Sequence, residues 1–422
     1  MITIHRGENQ IGGSIVEISA GGMCVLLDCG AELDEESPAL PPQVKKRLES
    51  GEIAAVFFSH NHADHNGLAG QVPADIPMYI GAKSLAVLAA QYGYWCNLSP
   101  AWRASLEKRG LKLPEPMPEN YLAYQSGRPV QAGAVTVTPY LCDHAAFDSH
   151  MLLVEAGGER ILYTGDFRAH GRKPFDALLR RLPDKVDTLL CEGTTLGRAG
   201  HDNKTEAALE EELEALLREH DGPVFVLCAG SNIDRIVTLY RAAARCKRLF
   251  LEDVYTANVC AAAGEHIPNP RDFENVKVFQ QRPGDHELLQ AYPGRKRIGL
   301  ADIAQERFVM IIRRNHNFQH IMRRLLEGEI DDENRGFKGA MLVYSMWEGY
   351  KQKPEMQQFL SLCGHWGMRM VSLHTSGHAD EAAIRRLVEK VNPGKILPVH
   401  TETPRGSGRT TRNCVDLWRG GW

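Results

Sequence analysis

Ser59-His60-Asn61-His62-Ala63-Asp64-His65-Asn66-Gly67 places three imidazoles and a carboxylate within six positions. Nitrogen and carboxylate donors together suit a borderline cation such as zinc better than calcium or magnesium. The apolar run Ile53-Ala54-Ala55-Val56-Phe57-Phe58 precedes them and reads as a buried strand. His60, His62, Asp64 and His65 therefore stand at the mouth of a strand, where a loop can turn them toward one point. The plainer alternative is a polar loop that happens to be rich in histidine.

The elements around that stretch set its frame. At 422 residues the chain is long enough for two domains. Its 43% hydrophobic and 24% charged residues are those of a globular protein. No apolar run is long enough to span a bilayer, and the first residues lack the blocks of a signal peptide. The 10 cysteines form no C-x-x-C pair, which points to thiols in a reducing cytoplasm, with Cys142 and Cys191 as packing residues. A net charge of −4 gives no global attraction to nucleic acid, so any attraction must be local.

H-x-H-x-D-H resembles the signature of the metallo-β-lactamase superfamily. The resemblance implies further ligands, each after its own strand: His144 after Ala134–Tyr140, Asp166 after Ile161–Tyr163, and His400 after Ile396–Val399. It implies one zinc held by His60, His62, His144 and Asp166, and a second held by Asp64, His65, Asp166 and His400. Asp166 would bridge the two beside a hydroxide. Two such metals suit hydrolysis of phosphodiesters, esters or amides without choosing among them.

The rest of the chain narrows that choice. Residues 14–18 and 23–28 read as a hairpin across Ala20-Gly21-Gly22, and Leu113–Pro118 as a loop near the site. From Lys204 to Glu219 the pattern is an acidic helix. Strand–helix units then follow at 224–228, 248–251, 276–279, 307–312 and 339–345, the alternation of a parallel α/β sheet. The expected fold is an αβ/βα sandwich over 1–198 and 355–422 with an α/β domain inserted at 199–354.

Such an insert is similar to that of the β-CASP nucleases, which carry an acidic residue before it and a histidine after it. Glu192 in Cys191-Glu192-Gly193-Thr194-Thr195 and His378 in His374-Thr375-Ser376-Gly377-His378 match these markers. Phe147-Asp148-Ser149 and Ser231-Asn232-Ile233-Asp234-Arg235 resemble the ribonuclease J family in particular. Tyr344–Tyr350 departs from that family's Gly-Ser-Gln-Gly loop, and no counterpart of its oligomerisation domain is expected in this sequence. Substrate polarity and oligomeric state are therefore not carried over, although a homo-oligomer is compatible with the sequence.

The resemblance implies a cytoplasmic zinc-dependent nuclease acting on single-stranded RNA, endonucleolytically or from the 5′ end. DNA stays open as substrate, as does a small-molecule ester or lactone hydrolase on the same metal core. Asp64, His378 and Glu192 are the expected catalytic residues. His378 would protonate a leaving oxygen or hydrogen-bond a phosphate, and Glu192 would orient its imidazole. Ser231, Asn232 and His378 are the expected substrate contacts, although Ser231 and Asn232 serve equally as a helix cap. Arg295-Lys296-Arg297 and Arg313-Arg314 could line a basic channel, and Tyr344, Trp347 and Tyr350 could stack bases. The arginine-bearing tail from Thr403 reads as a loose terminus or an RNA-contacting arm.

Overall fold

The computed structural model describes residues 1–402 apart from 34, 36, 111, 197–202, 330–336 and 338. The tail from Thr403 and the expected border at residue 198 lie outside the described residues.

Two compact units share the chain: residues 1–85, 117–203 and from 376 onward make the first, and 86–116 with 204–375 the second. In the first unit one sheet runs in the order β1 (Ile2–Arg6), β2 (Ile15–Ala20), β3 (Met23–Leu27), β4 (Ile53–Phe57), β5 (Met78–Gly81) and β6 (Tyr121–Tyr124). β2 and β3 form the expected hairpin, with Gly21 (φ 58°) and Gly22 (φ 80°) supplying its turn. From β3 to β6 the pairing is parallel. The next five strands, β7 (Val130–Ala132), β8 (Val135–Leu141), β9 (His150–Ala156), β10 (Glu159–Tyr163) and β11 (Thr188–Glu192), lie side by side in a second sheet.

Strands of both sheets contribute to one apolar layer. Val16, Val25, Leu27, Ala55 and Phe57 meet Val135, Val137, Leu152, Val154, Ile161 and Leu190 there, all buried. Strand side chains alternate faces, so the intervening residues cover the outer side of each sheet. On the second sheet that outer side packs Leu153, Leu162 and Leu189 against Ile384, Leu387 and Val391 of the helix Glu381–Val391. Asp380 caps this helix by accepting from Ala383 N.

The second unit is built on a parallel sheet of β12 (Val224–Leu227), β13 (Leu249–Asp253), β14 (Val276–Phe279), β15 (Phe308–Ile312), β16 (Met341–Tyr344) and β17 (Arg369–Ser372), in spatial order β14-β13-β15-β12-β16-β17. Every residue of β12, β15 and β16 is buried, as expected of strands covered on both faces. The acidic helix spans Glu206–Glu219, capped by Thr205, and Gly222-Pro223 separates it from β12.

The unit borders differ from those read in the sequence. Residues 355–375, expected with the sandwich, belong to the second unit, because β17 pairs with β16 and Phe359 and Cys363 pack in that unit's core. Residues 86–116, which include most of the Leu113–Pro118 stretch, also go with the second unit. The last strand, β18 (Lys395–Val399), returns to the second sheet and pairs in parallel with β11.

Candidate metal centre

Each donor stands just past the end of a strand. β4 delivers His60 and His62, and the turn of helix Ala63–Asn66 presents Asp64 and His65. β8 leads to His144, β10 to Asp166 and β18 to His400. Two glycines permit the close approach. A Cβ on Gly30 would collide with the carbonyl of Asp64, and one on Gly165 (φ 51°) would strike Ser59. His400 itself has a φ of 52°, a conformation that non-glycine residues hold mainly where surrounding structure imposes it.

Asp166 is the centre of the arrangement. Its Oδ2 lies 3.2 Å from His65 Nε2, 3.8 Å from His144 Nε2 and 3.9 Å from His60 Nε2. Its Oδ1 is 3.7 Å from His400 Nδ1. His62 Nδ1 approaches His144 Nε2 at 3.2 Å, and His400 Nε2 approaches Asp64 Oδ2 at 3.2 Å. The donor atoms fall into one group of His60, His62 and His144 and another of Asp64, His65, Asp166 and His400, each within 4.8 Å. Nothing among the expected ligands is left out of these two groups.

The other ring nitrogens are held by the protein. Ser59 Oγ is 3.0 Å from His60 Nδ1, Asp28 Oδ2 is 2.7 Å from His65 Nδ1, and Thr194 Oγ1 is 2.8 Å from His400 Nδ1. The carbonyl of Gly377 accepts from His144 Nδ1 at 2.5 Å. Outer partners of this kind fix ring orientation and tautomer at metal sites. Sequence reading missed Asp28, Ser59 and Thr194. A signal existed: Leu27 pairs with Phe57, so the residues just beyond β3 and β4 emerge side by side.

His60 Nε2, His65 Nε2 and Asp166 Oδ1 are buried and make no hydrogen bond. Buried polar atoms are normally satisfied, so donors aimed at a common point fit a cation between them. The imidazole and carboxylate set is one that zinc takes. Burial and the neighbouring imidazoles push His60 well below its ordinary pKa, and burial does the same to His144. Both rings are thus neutral, the form that ligates. Burial would raise Asp166, but His400, His65 and His378 outweigh it and hold the carboxylate ionised.

Glu192 and His378 stand beside this cluster. His378 Nδ1 lies 3.0 Å from Glu192 Oε2 and 3.6 Å from Asp166 Oδ2. Glu192 is fully buried, and its Oε1 accepts from Phe167 N at 2.8 Å. Burial opposes charge on His378, yet Glu192 and Asp166 lift its pKa to about 9. Asp166, Glu192, His378 and His400 also form a third group of close donors. Both Glu192 oxygens are already engaged, which separates that carboxylate from the unsatisfied ones. The loop before His378 is held by His170 Nε2 and Arg168 Nη1, both donating to Ser376 O.

The residues expected to meet substrate in the second unit fare unevenly. Asn232 caps the helix Ile233–Arg245, its side chain accepting from Arg235 N. Lys296 is buried against Phe273 O and Glu274, and Arg313 is paired with Asp253. Neither is a free channel cation, because a partner distant in sequence neutralises each. Tyr344 is buried with its hydroxyl on Trp347 O, so only Trp347 and Tyr350 of the three aromatics are exposed.

Comparison with known proteins agrees with this geometry. A Beta-lactamase superfamily domain matches residues 24–224, and a Zn-dependent metallo-hydrolase RNA specificity domain matches 367–405. A solved structure of a protein of unknown function from Enterococcus faecalis shares the fold with a TM-score of 0.71, at 18% identity over 96% of this chain and 94% of that one. The chain belongs to the metallo-β-lactamase superfamily, in its β-CASP group. Within that group it is ribonuclease J-like. It is 26% identical to Ribonuclease J of Mycobacterium tuberculosis over 258 residues, 57% of this chain and 42% of that protein. It is 22% identical to Ribonuclease J of Mycolicibacterium smegmatis over 425 residues, 94% of this chain and 68% of that protein. The chain thus spans less than half the length of the Mycobacterium tuberculosis relative.

Proposed function

We propose that this protein is a dinuclear zinc hydrolase that cleaves phosphodiester bonds in single-stranded RNA. The observation that carries the reading is the Asp166 carboxylate, with His60, His65 and His144 nitrogens all within 4 Å of one oxygen and His400 near the other. His60, His62, His144 and Asp166 would hold one zinc, and Asp64, His65, Asp166 and His400 the other. Zinc bound there would supply a water of pKa about 7 as nucleophile and a positive field for developing charge.

The chain's own residues supply the rest. Asp28, Ser59, Thr194 and the Gly377 carbonyl hold four imidazoles in place. Glu192 takes the Nδ1 side of His378, leaving the far nitrogen of the ring to donate to the departing oxygen. Ser231 and Asn232, at the start of a helix, would meet a phosphate through backbone N–H groups. RNA is favoured over DNA by the RNA specificity match at 367–405 and by the names of the relatives. No described helix is long and apolar enough to cross a membrane. We place the enzyme in the cytoplasm because its described cysteines are free thiols, as a reducing compartment keeps them.

End-labelled RNA and DNA of one sequence, offered to zinc-loaded protein, test the reading. Shortened RNA products that vanish with chelator and return with zinc are expected. Intact RNA beside brisk lactone hydrolysis would establish a small-molecule hydrolase instead.

A further inference from the structure

A second feature of the molecule has no part in the metal chemistry. Within the second unit, residues 86–116 and Arg282 enclose an open cleft of about 520 Å³. Tyr92 and Trp95, on the last turns of helix Ala82–Cys96, form one wall, and Trp102 and Leu106 of helix Pro100–Lys108 another. Trp102 and Leu106 are four apart, hence on one face of their helix. That helix has no buried residue, and its apolar face is spent on the cleft.

Trp95 is 41% exposed and Trp102 49% exposed, unusual for the largest apolar side chain. Both are nonetheless held. Trp95 lies near-parallel to Tyr255 at an interplanar angle of 23° and meets Tyr92 edge-on at 5.7 Å. Ser99 caps the second helix by accepting from Trp102 N, and Arg109 sits 5.1 Å from the Trp102 ring centre. Of the charged residues lining the cleft, Lys112 is paired with Glu115 at 2.6 Å and Arg282 with Asp285 at 2.6 Å, while Arg103, Lys108 and Arg109 are exposed on and just after the Trp102 helix, against Glu107. In a chain of net charge −4 this is a local positive patch beside fixed aromatic planes.

We propose that this cleft binds unpaired bases of single-stranded RNA, stacking them on Trp95 and Trp102 while the rim cations meet the phosphates. Aromatic planes with flanking cations recognise single strands irrespective of sequence, because every base has a π-face. An apolar peptide would leave the cations idle, and a double helix would keep its bases out of reach of the rings. The inference rests on the RNA-cleaving reading above and assigns that activity a binding site formed by the second unit alone.

The test compares full-length zinc-loaded protein with a Trp95→Ala/Trp102→Ala double variant on a short oligouridylate and on bis(p-nitrophenyl) phosphate. Loss of two stacking planes should raise KM for the oligonucleotide at least roughly tenfold. Turnover of the nitrophenyl diester, which has no strand to stack, should not change. A Trp95→Phe/Trp102→Phe pair keeps the planes and should keep the parent KM. Arg103→Glu with Lys108→Glu, both exposed, should raise KM as well. Unchanged KM in the alanine and charge-reversed variants, with parent protein cleaving RNA, overturns the cleft and leaves the hydrolase standing. Parent protein that cleaves no RNA overturns both readings together. Quenching of tryptophan fluorescence by anionic vesicles but not by oligouridylate overturns the cleft in favour of a membrane surface.

Discussion

Asp28 Oδ2 lies 2.7 Å from His65 Nδ1, and the same oxygen accepts from Tyr163 Oη at 2.7 Å and from Ser59 Oγ at 2.8 Å. Its other oxygen accepts from Ser59 N at 2.7 Å. One buried carboxylate thereby ties β3, β4 and β10 together under the donor cluster. Asp28 adopts a φ of 59°, which a short polar side chain tolerates better than most.

Asp28→Asn should therefore weaken zinc without removing a ligand. The amide keeps the volume but loses the negative charge that polarises His65. Outer-sphere changes of this type cost ~10–100-fold in metal affinity or activity. Competition with a chromophoric chelator measures the loss. Parent-like affinity in Asp28→Asn would refute a supporting role for this carboxylate.

Asp166→Ala is the harsher change, since it withdraws a carboxylate that belongs to the group with Asp64, His65 and His400 and lies within 4 Å of the His60 and His144 nitrogens of the other. Activity should vanish, and metal analysis should find most of the zinc gone. Two zincs per chain retained in the variant would show that the ligand assignment is wrong.

How much of this was legible beforehand follows from sequence distance. His60, His62, Asp64 and His65 announce themselves because six consecutive positions hold four donors. His144, Asp166 and His400 became legible only through family resemblance, each being an ordinary residue after an ordinary strand. Asp28 stayed invisible because its partner His65 is brought to it by the parallel pairing of β3 with β4. Arg313 looked like a channel cation for the same reason: Asp253, which neutralises it, is far away in the chain. The sandwich border was misplaced because β17 is short and mostly exposed, so it carries little apolar pattern to mark it as a strand of the other sheet.

Arg235 gives a prediction about stability, independent of metal. It is fully buried, with Nη2 3.1 Å from Glu206 Oε1 and further bonds to Ser345 Oγ and Leu373 O. Removing one partner of a buried pair leaves an uncompensated charge, at a cost of ~3–5 kcal/mol. Arg235→Ala should lower the unfolding free energy by an amount of that order, read from a denaturant titration. Arg235→Ala with Glu206→Ala should be less damaging than the sum of the single changes, because the orphaned carboxylate is gone. Strict additivity would show that the two side chains do not act as a pair.

The last prediction separates proton donation from metal binding. His378 is held by Glu192, whose second oxygen is fixed by the backbone next to Asp166. His378→Ala should leave two zincs in place, since both donor groups stay complete without it. It should nevertheless slow RNA cleavage by ~10²–10⁴, the usual contribution of a positioned acid. Glu192→Gln should act in the same direction with a smaller loss, because it orients and charges the ring without donating. The double variant should be little worse than His378→Ala alone, since both residues serve one step. A nitrophenyl leaving group departs as a stable anion and needs no proton, so its hydrolysis should be far less sensitive to His378→Ala. Equal losses on RNA and on the nitrophenyl diester would assign His378 to phosphate binding. Zinc lost along with His378 would instead make it a ligand, drawing the Asp166, Glu192, His378 and His400 group into the metal centre.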